Sequence, residues 1–153
     1  MNRGNLLLRM ELRSDPEMLC AVRGALAQLT EKLGFPEADC RAVVLAVDEA
    51  LTNIIRHAYG GQTDQPIEAL FRRISLDDNG LRGEALEIVL EDRGPAVDRE
   101  KLCGRPLEEV RPGGLGLHFI RQSMDRVEFR RENGRNQVHL VKLLHKPEPQ
   151  KGS

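Results

Sequence analysis

Apolar and polar residues along this chain change period in a definite order. Asn5 to Leu12, NLLLRMEL, is short and aliphatic and predicts a first strand. Ser14, Asp15, Pro16 and Glu17 follow. Ser14 can cap the amide three residues on, Glu17 can reach back, and Pro16 sits where its missing N–H costs nothing, so a helix is expected to start there. Leu19, Val22, Leu26, Leu29 and Leu33 continue it at helical spacing until Gly34 and Pro36 stop it. A second helix is expected from Pro36 to Gly60-Gly61, about 35 Å long at about 1.5 Å per residue. The period then shortens. Ile67 to Leu76 and Ala85 to Glu91 have strand length and flank DDNGLRG, which predicts an antiparallel hairpin. The chain from Asp92 to Gly114 is rich in Gly, Pro and charge and predicts a long loop, with a short helical hint around Pro106 to Val110. Leu117 to Met124 returns to helical spacing, and Arg126 to Glu132 with Gln137 to Leu144 flank Asn133-Gly134 as a second hairpin. This order predicts an α+β fold: a two-layer sandwich with a mixed, mostly antiparallel sheet and three main helices on one face.

The second helix carries the most informative pattern, Val43 to Tyr59, VVLAVDEALTNIIRHAY. On an ideal wheel Val43, Val44, Val47, Ala50, Leu51, Ile54, Ile55 and Ala58 share an apolar arc of about 140°, which should face a core. Glu49, Asn53 and His57 recur every four residues and form a polar stripe beside that arc. An ordinary amphipathic helix with a wet flank would look the same, so the stripe gains meaning only if other segments supply it with a ligand.

Composition narrows the classes. With 153 residues a single domain is expected, over 1–145, followed by the polar tail 146–153. There is no Trp, one Tyr and four Phe, so the core is aliphatic. A formal net charge of −1 with interspersed signs gives no field for nucleic acid and no polybasic tract for a membrane. Cys20, Cys40 and Cys103 are odd in number and lack CxxC spacing, so they read as free thiols of a reducing cytoplasm. No segment approaches the roughly 20 apolar residues of a membrane span.

Two further features lie in series with the stripe. Asp92 ends an apolar strand and is followed by Gly94, offering a carboxylate at a pocket floor or, more simply, a turn acid. Gly113, Gly114 and Gly116 precede a helix, where close backbone approach and free N–H groups favour a phosphate, although a hinge would use the same glycines. Asn53 has the amide oxygen that a magnesium ion already bound to phosphates can accept. Glu49, about 6 Å earlier along the axis, is placed to take a proton from an attacking hydroxyl.

Together these residues resemble the GHKL ATPases with the Bergerat nucleotide-binding fold, and within them the small serine-protein kinases that act as anti-sigma factors. The resemblance spans Asn5 to Leu144, with an N-box at Asp48 to Tyr59 and a lid-plus-glycine box at Arg111 to Leu117 followed by HFIRQSMDRVEF. It implies ATP held through its adenine amino group by Asp92, with Gly94 beside it, and magnesium held by Asn53. It further implies phosphates covered by Gly113, Gly114, Leu115, Gly116 and Leu117, a general base at Glu49, and a basic phosphate neighbour at Arg56. The implied function is an ATP-dependent kinase that phosphorylates a serine of an anti-sigma antagonist and otherwise binds a sigma factor, as a cytoplasmic homodimer joined through the first strand and helix. A binding module that uses ATP only to dock a partner is the alternative. The detached half of a histidine kinase is discounted, because no spare helical hairpin carries a phospho-accepting histidine. The chain departs from the family pattern at Ala96, which replaces a second glycine, at His118, and at Asn136 and Gln137, which replace small hydroxyl residues expected near the phosphate end of the last strand.

Overall fold

The computed structural model describes residues 5–78, 80–96 and 115–144. Among the described residues five strands form one sheet: β1 (Asn5–Arg13), β2 (Pro66–Asp78), β3 (Leu81–Asp92), β4 (Arg126–Glu132) and β5 (Arg135–Leu143). Their order is β1-β2-β3-β5-β4 and every pairing is antiparallel. The expectation of a mostly antiparallel sheet is met, and the two expected hairpins are β2–β3 and β4–β5. Asn133 and Gly134 take φ of 53° and 74°, the left-handed pair that a two-residue turn between twisted strands requires.

Helices α1 (Leu19–Leu33), α2 (Glu37–Asn53) and α3 (Leu115–Ser123) cover one face. Side chains alternate across each strand, so Ile67, Ala69 and Phe71 of β2 and Leu86, Ile88 and Leu90 of β3 meet Leu26, Leu51 and Ile120 in a continuous core. β1 is an edge strand whose Leu8, Met10 and Leu12 pack against that core, while Leu6 and Leu7 stay exposed. Among the described residues no helix is long and apolar enough to cross a membrane.

Two helix boundaries differ from the sequence expectation, each for a local reason. Ser14 does not cap α1. Its buried hydroxyl donates to Gln62 O at 2.5 Å and accepts from Gln65 N at 3.0 Å, tying the end of β1 to the turn before β2. Asp15 caps instead, accepting from Glu17 N, and a short 3-10 turn at Pro16–Met18 leads into α1. At the other end Gly34, at φ 91°, closes α1 as expected.

The second difference is larger. The long helix is α-helical only to Asn53, and Ile54–Ala58 forms a π turn in which Tyr59 N donates to Ile54 O at 3.1 Å. A wide turn uses an extra residue, so the side chains beyond Asn53 fall behind the α-helical line. The stripe therefore breaks after Asn53, and His57 is exposed. The buried set of the predicted arc survives the break: Ile54, Ile55 and Ala58 remain inside.

Candidate functional site

The π turn is fastened to the end of β3, which brings the stripe and Asp92 to one end of the core. Ala58 lies so close to Gly94 that a Cβ at residue 94 would stand 2.6 Å from Ala58 O and 2.8 Å from Ala58 Cβ. Only glycine allows this approach. Tyr59 completes the joint: its hydroxyl donates to Pro66 O at 2.5 Å and accepts from Arg93 N at 2.8 Å, linking the start of β2 to the exit of β3. Burial pushes the phenol above its ordinary value, against the opposing pull of the Arg93 N–H, so Tyr59 stays a neutral donor at physiological pH.

Asp92 is 1% exposed at the last position of β3. Its Oδ1 accepts from Gly94 N at 2.9 Å and from Asn136 Nδ2 at 2.8 Å. Asn136 faces it directly across the β3–β5 pairing, and Arg131 faces Asn136 across β4–β5. Arg131 donates to Asn136 Oδ1 at 2.7 Å and to Gly94 O at 3.2 Å. A carboxylate so held has a fixed orientation, which suits an acceptor that must choose among ligand edges.

Asn53 is the last residue of α2 and is 6% exposed. Its Nδ2 has no hydrogen-bond partner among the described residues. A buried amide nitrogen left unpaired costs about 1–3 kcal/mol, so such a group is expected to have a partner beyond the described residues, a bound ligand being one. Its nitrogen can donate to a phosphate oxygen, or the amide turned over can offer its oxygen to a cation. Glu49, one turn earlier on α2, is only partly buried.

The remaining predicted residues separate. Arg56 is exposed in the π turn. Leu115 opens α3, with Gly116 next in its first turn. Leu117 is 3% exposed and belongs to the core, so its side chain anchors the helix start. Gly113, Gly114 and the helical hint at Pro106 to Val110 lie outside the described residues. The far end of α3 is pinned where Lys142 Nζ donates to Ser123 O at 2.6 Å and Leu143 N donates to Asp125 Oδ2 at 2.8 Å. Among the described residues no group of three or more His, Cys, Asp or Glu is placed to hold a metal. One amide oxygen suits magnesium that keeps waters and phosphates as its other ligands.

Sequence reasoning missed Tyr59, Arg131 and the true place of Asn136. Asn136 stands against Asp92 at the β3 exit. Tyr59 carried a weak signal, being the chain's single tyrosine at the end of the organising helix. Arg131 carried none.

Residues 12–142 match the family model described as a histidine kinase-like ATPase domain. The chain is 28% identical over 148 residues to the serine-protein kinase RsbW of Bacillus pumilus, an alignment that takes in 92% of this chain and 87% of that protein. It is 29% identical over 135 residues to the serine-protein kinase RsbW of Oceanobacillus iheyensis, covering 83% and 80% of the two. Among solved structures, that of the RsbU and RsbW domains of a Mycobacterium tuberculosis protein aligns with a TM-score of 0.60 over 92% of this chain. This chain spans 34% of that longer one, and at 16% identity the likeness is one of fold.

Proposed function

This chain belongs to the family of histidine kinase-like ATPase domains, and on that premise we propose that it is an ATP-dependent serine-protein kinase acting as an anti-sigma factor in a partner-switching system. Its protein substrate is an anti-sigma antagonist, and its other partner is a sigma factor. The observation that carries the reading is the buried amide of Asn53, whose nitrogen has no hydrogen-bond partner among the described residues, one helical turn from Glu49. The relatives named serine-protein kinases support the catalytic reading over a module that only docks a partner.

The roles follow from the chemistry of the side chains. Asp92, oriented by its bonds to Gly94 and Asn136, accepts from the amino group of adenine. Asn53 offers its amide toward the phosphates and their magnesium, and the start of α3 at Leu115 and Gly116, together with Gly113 and Gly114, contributes backbone N–H groups to them. Arg56 adds positive charge nearby. Magnesium, when bound with the nucleotide, neutralises phosphate charge. Glu49 takes the proton from the attacking serine hydroxyl of the antagonist. Little covalent work falls to the protein, since transfer of a phosphoryl group depends mainly on positioning.

A homodimer through the edge strand β1 and α1 fits the exposure of Leu6 and Leu7, at 53% and 39%. The decisive experiment incubates the purified chain with magnesium, labelled ATP and a cognate antagonist domain. Label on an antagonist serine is expected, and its loss in Glu49→Ala with nucleotide binding retained is the expected signature of a missing base. Nucleotide binding without any transfer would make the chain a docking module.

A further inference from the structure

Asn136 makes more bonds than a residue closing a strand needs. Its amide nitrogen reaches three acceptors: Asp92 Oδ1 at 2.8 Å, Pro95 O at 2.9 Å and Gly94 O at 3.2 Å. Its oxygen accepts from Arg131 Nη1 at 2.7 Å. The side chain is 6% exposed, so these bonds face little competition from water. Register explains the arrangement. Asp92, Asn136 and Arg131 stand opposite one another on β3, β5 and β4, and all three belong to the face that packs against the helices. The exposed Arg131 is thus the outer end of a polar row whose inner end is the Asp92 carboxylate.

We propose that Asn136 is a positioning residue for base selection: its amide fixes the rotation of the Asp92 carboxylate and the backbone turn at Gly94 and Pro95, and so sets which purine edge the site accepts. The proposal rests on the reading of Asp92 as the adenine acceptor. A carboxylate oxygen accepts from the amino group of adenine, whereas the carbonyl of hypoxanthine at the same position brings acceptor against acceptor. Discrimination between the two depends on how rigidly the carboxylate is aimed, because a carboxylate free to rotate can turn away from the carbonyl or admit a water. Arg131 contributes by fixing the amide itself: with its oxygen held by the guanidinium, the Asn136 side chain keeps its nitrogen toward Asp92.

Asn136 is bonded to Asp92 and acts through it, so its removal should alter selectivity. A purely structural loss would weaken all nucleotides alike and leave their ratio unchanged. The test is calorimetric titration of the full chain, wild type and variants, with ATP and with ITP in the presence of magnesium. Asn136→Leu removes the donor at similar size, and Asn136→Asp keeps the shape but sets an acceptor against Asp92. In each, the preference for ATP over ITP is expected to fall at least about tenfold, as loss of one hydrogen bond to a charged acceptor implies. Arg131→Met, at the exposed end of the row, gives a third variant should the first two unfold, and a smaller fall in the same ratio is expected. Folded variants that keep the wild-type ratio within about twofold would overturn the proposal. Wild type that binds neither nucleotide would overturn the adenine-site reading beneath it, and the two failures are distinct.

Discussion

Asp92 and Asn53 are both buried between helices and sheet, at 1% and 6% exposure, yet they differ in their partners. Asp92 Oδ1 accepts from Gly94 and from Asn136, and the turn around it is tied to the π turn by the contact of Gly94 with Ala58 and by Tyr59. Asn53 ends α2 with an amide nitrogen that has no hydrogen-bond partner among the described residues. On the proposed reading the difference separates two tasks. A group that must recognise the shape of a base benefits from being fixed in advance, whereas a group that meets a charged, hydrated ligand must keep its hydrogen-bonding capacity for that ligand. Stability and binding should therefore come apart on mutation. Changes around Asp92 should cost folding energy, and changes along the Glu49–Asn53 edge should cost activity.

The largest expected effect sharpens the contrast on the reactive side. Glu49→Ala should slow phosphate transfer to the antagonist by at least about 10²-fold, with the midpoint of thermal unfolding near that of wild type. Parallel losses in stability and rate would break the separation. On the other side, Gly94→Ala places a Cβ against backbone and side chain of Ala58, so the β3 exit or the π turn must move. A loss of about 1–3 kcal/mol in urea unfolding is expected, typical of overpacking. Unchanged stability would mean that the two segments are not rigidly joined. Tyr59→Phe should cost about 1–3 kcal/mol, because Pro66 O and Arg93 N lose the hydroxyl that bridges them.

The smallest effect lies on the opposite face of the sheet and serves as the control. Glu87 there is held below the ordinary carboxylate value by His139, whose Nδ1 lies 4.0 Å from its Oε2, with Arg72 and Arg130 acting in the same direction and burial opposing them. A depressed carboxylate stabilises the fold above the ordinary value of 4.5, and this contribution disappears as pH falls through the lower, folded-state value. Glu87→Gln should therefore reduce stability near pH 7 slightly and flatten its acid dependence below about pH 4.5. ATP affinity near pH 7 should not change.

Much of this was legible in the sequence, for physical reasons that differ by element. Gly34 and the Asn133-Gly134 pair marked their turns because those positions need left-handed backbone. The apolar arc from Val43 to Ala58 marked the helix and its buried face. Asp92, Asn53 and Glu49 stood out through their types and spacing. The π turn left no trace, since residues 54–58 contain no proline or glycine and the widening accompanies contacts with a segment more than thirty residues away. Ser14 was misread as a cap because its actual partners, Gln62 and Gln65, approach only when β1 and β2 pair. Asn136 was visible as an unusual residue, but its place beside Asp92 depends on the β3–β5 register, which joins positions 44 apart in the chain.

On the proposed reading Asn53, whose amide nitrogen has no hydrogen-bond partner among the described residues, serves the nucleotide and its magnesium. Calorimetric titration of ATP into wild type and Asn53→Ala, with and without magnesium, tests it most directly when paired with the thermal midpoint of each protein. The account predicts that Asn53→Ala loses magnesium-dependent binding while its midpoint stays level or rises, because the substitution removes a buried amide nitrogen that has no hydrogen-bond partner among the described residues. Undiminished magnesium-dependent affinity in Asn53→Ala would contradict it.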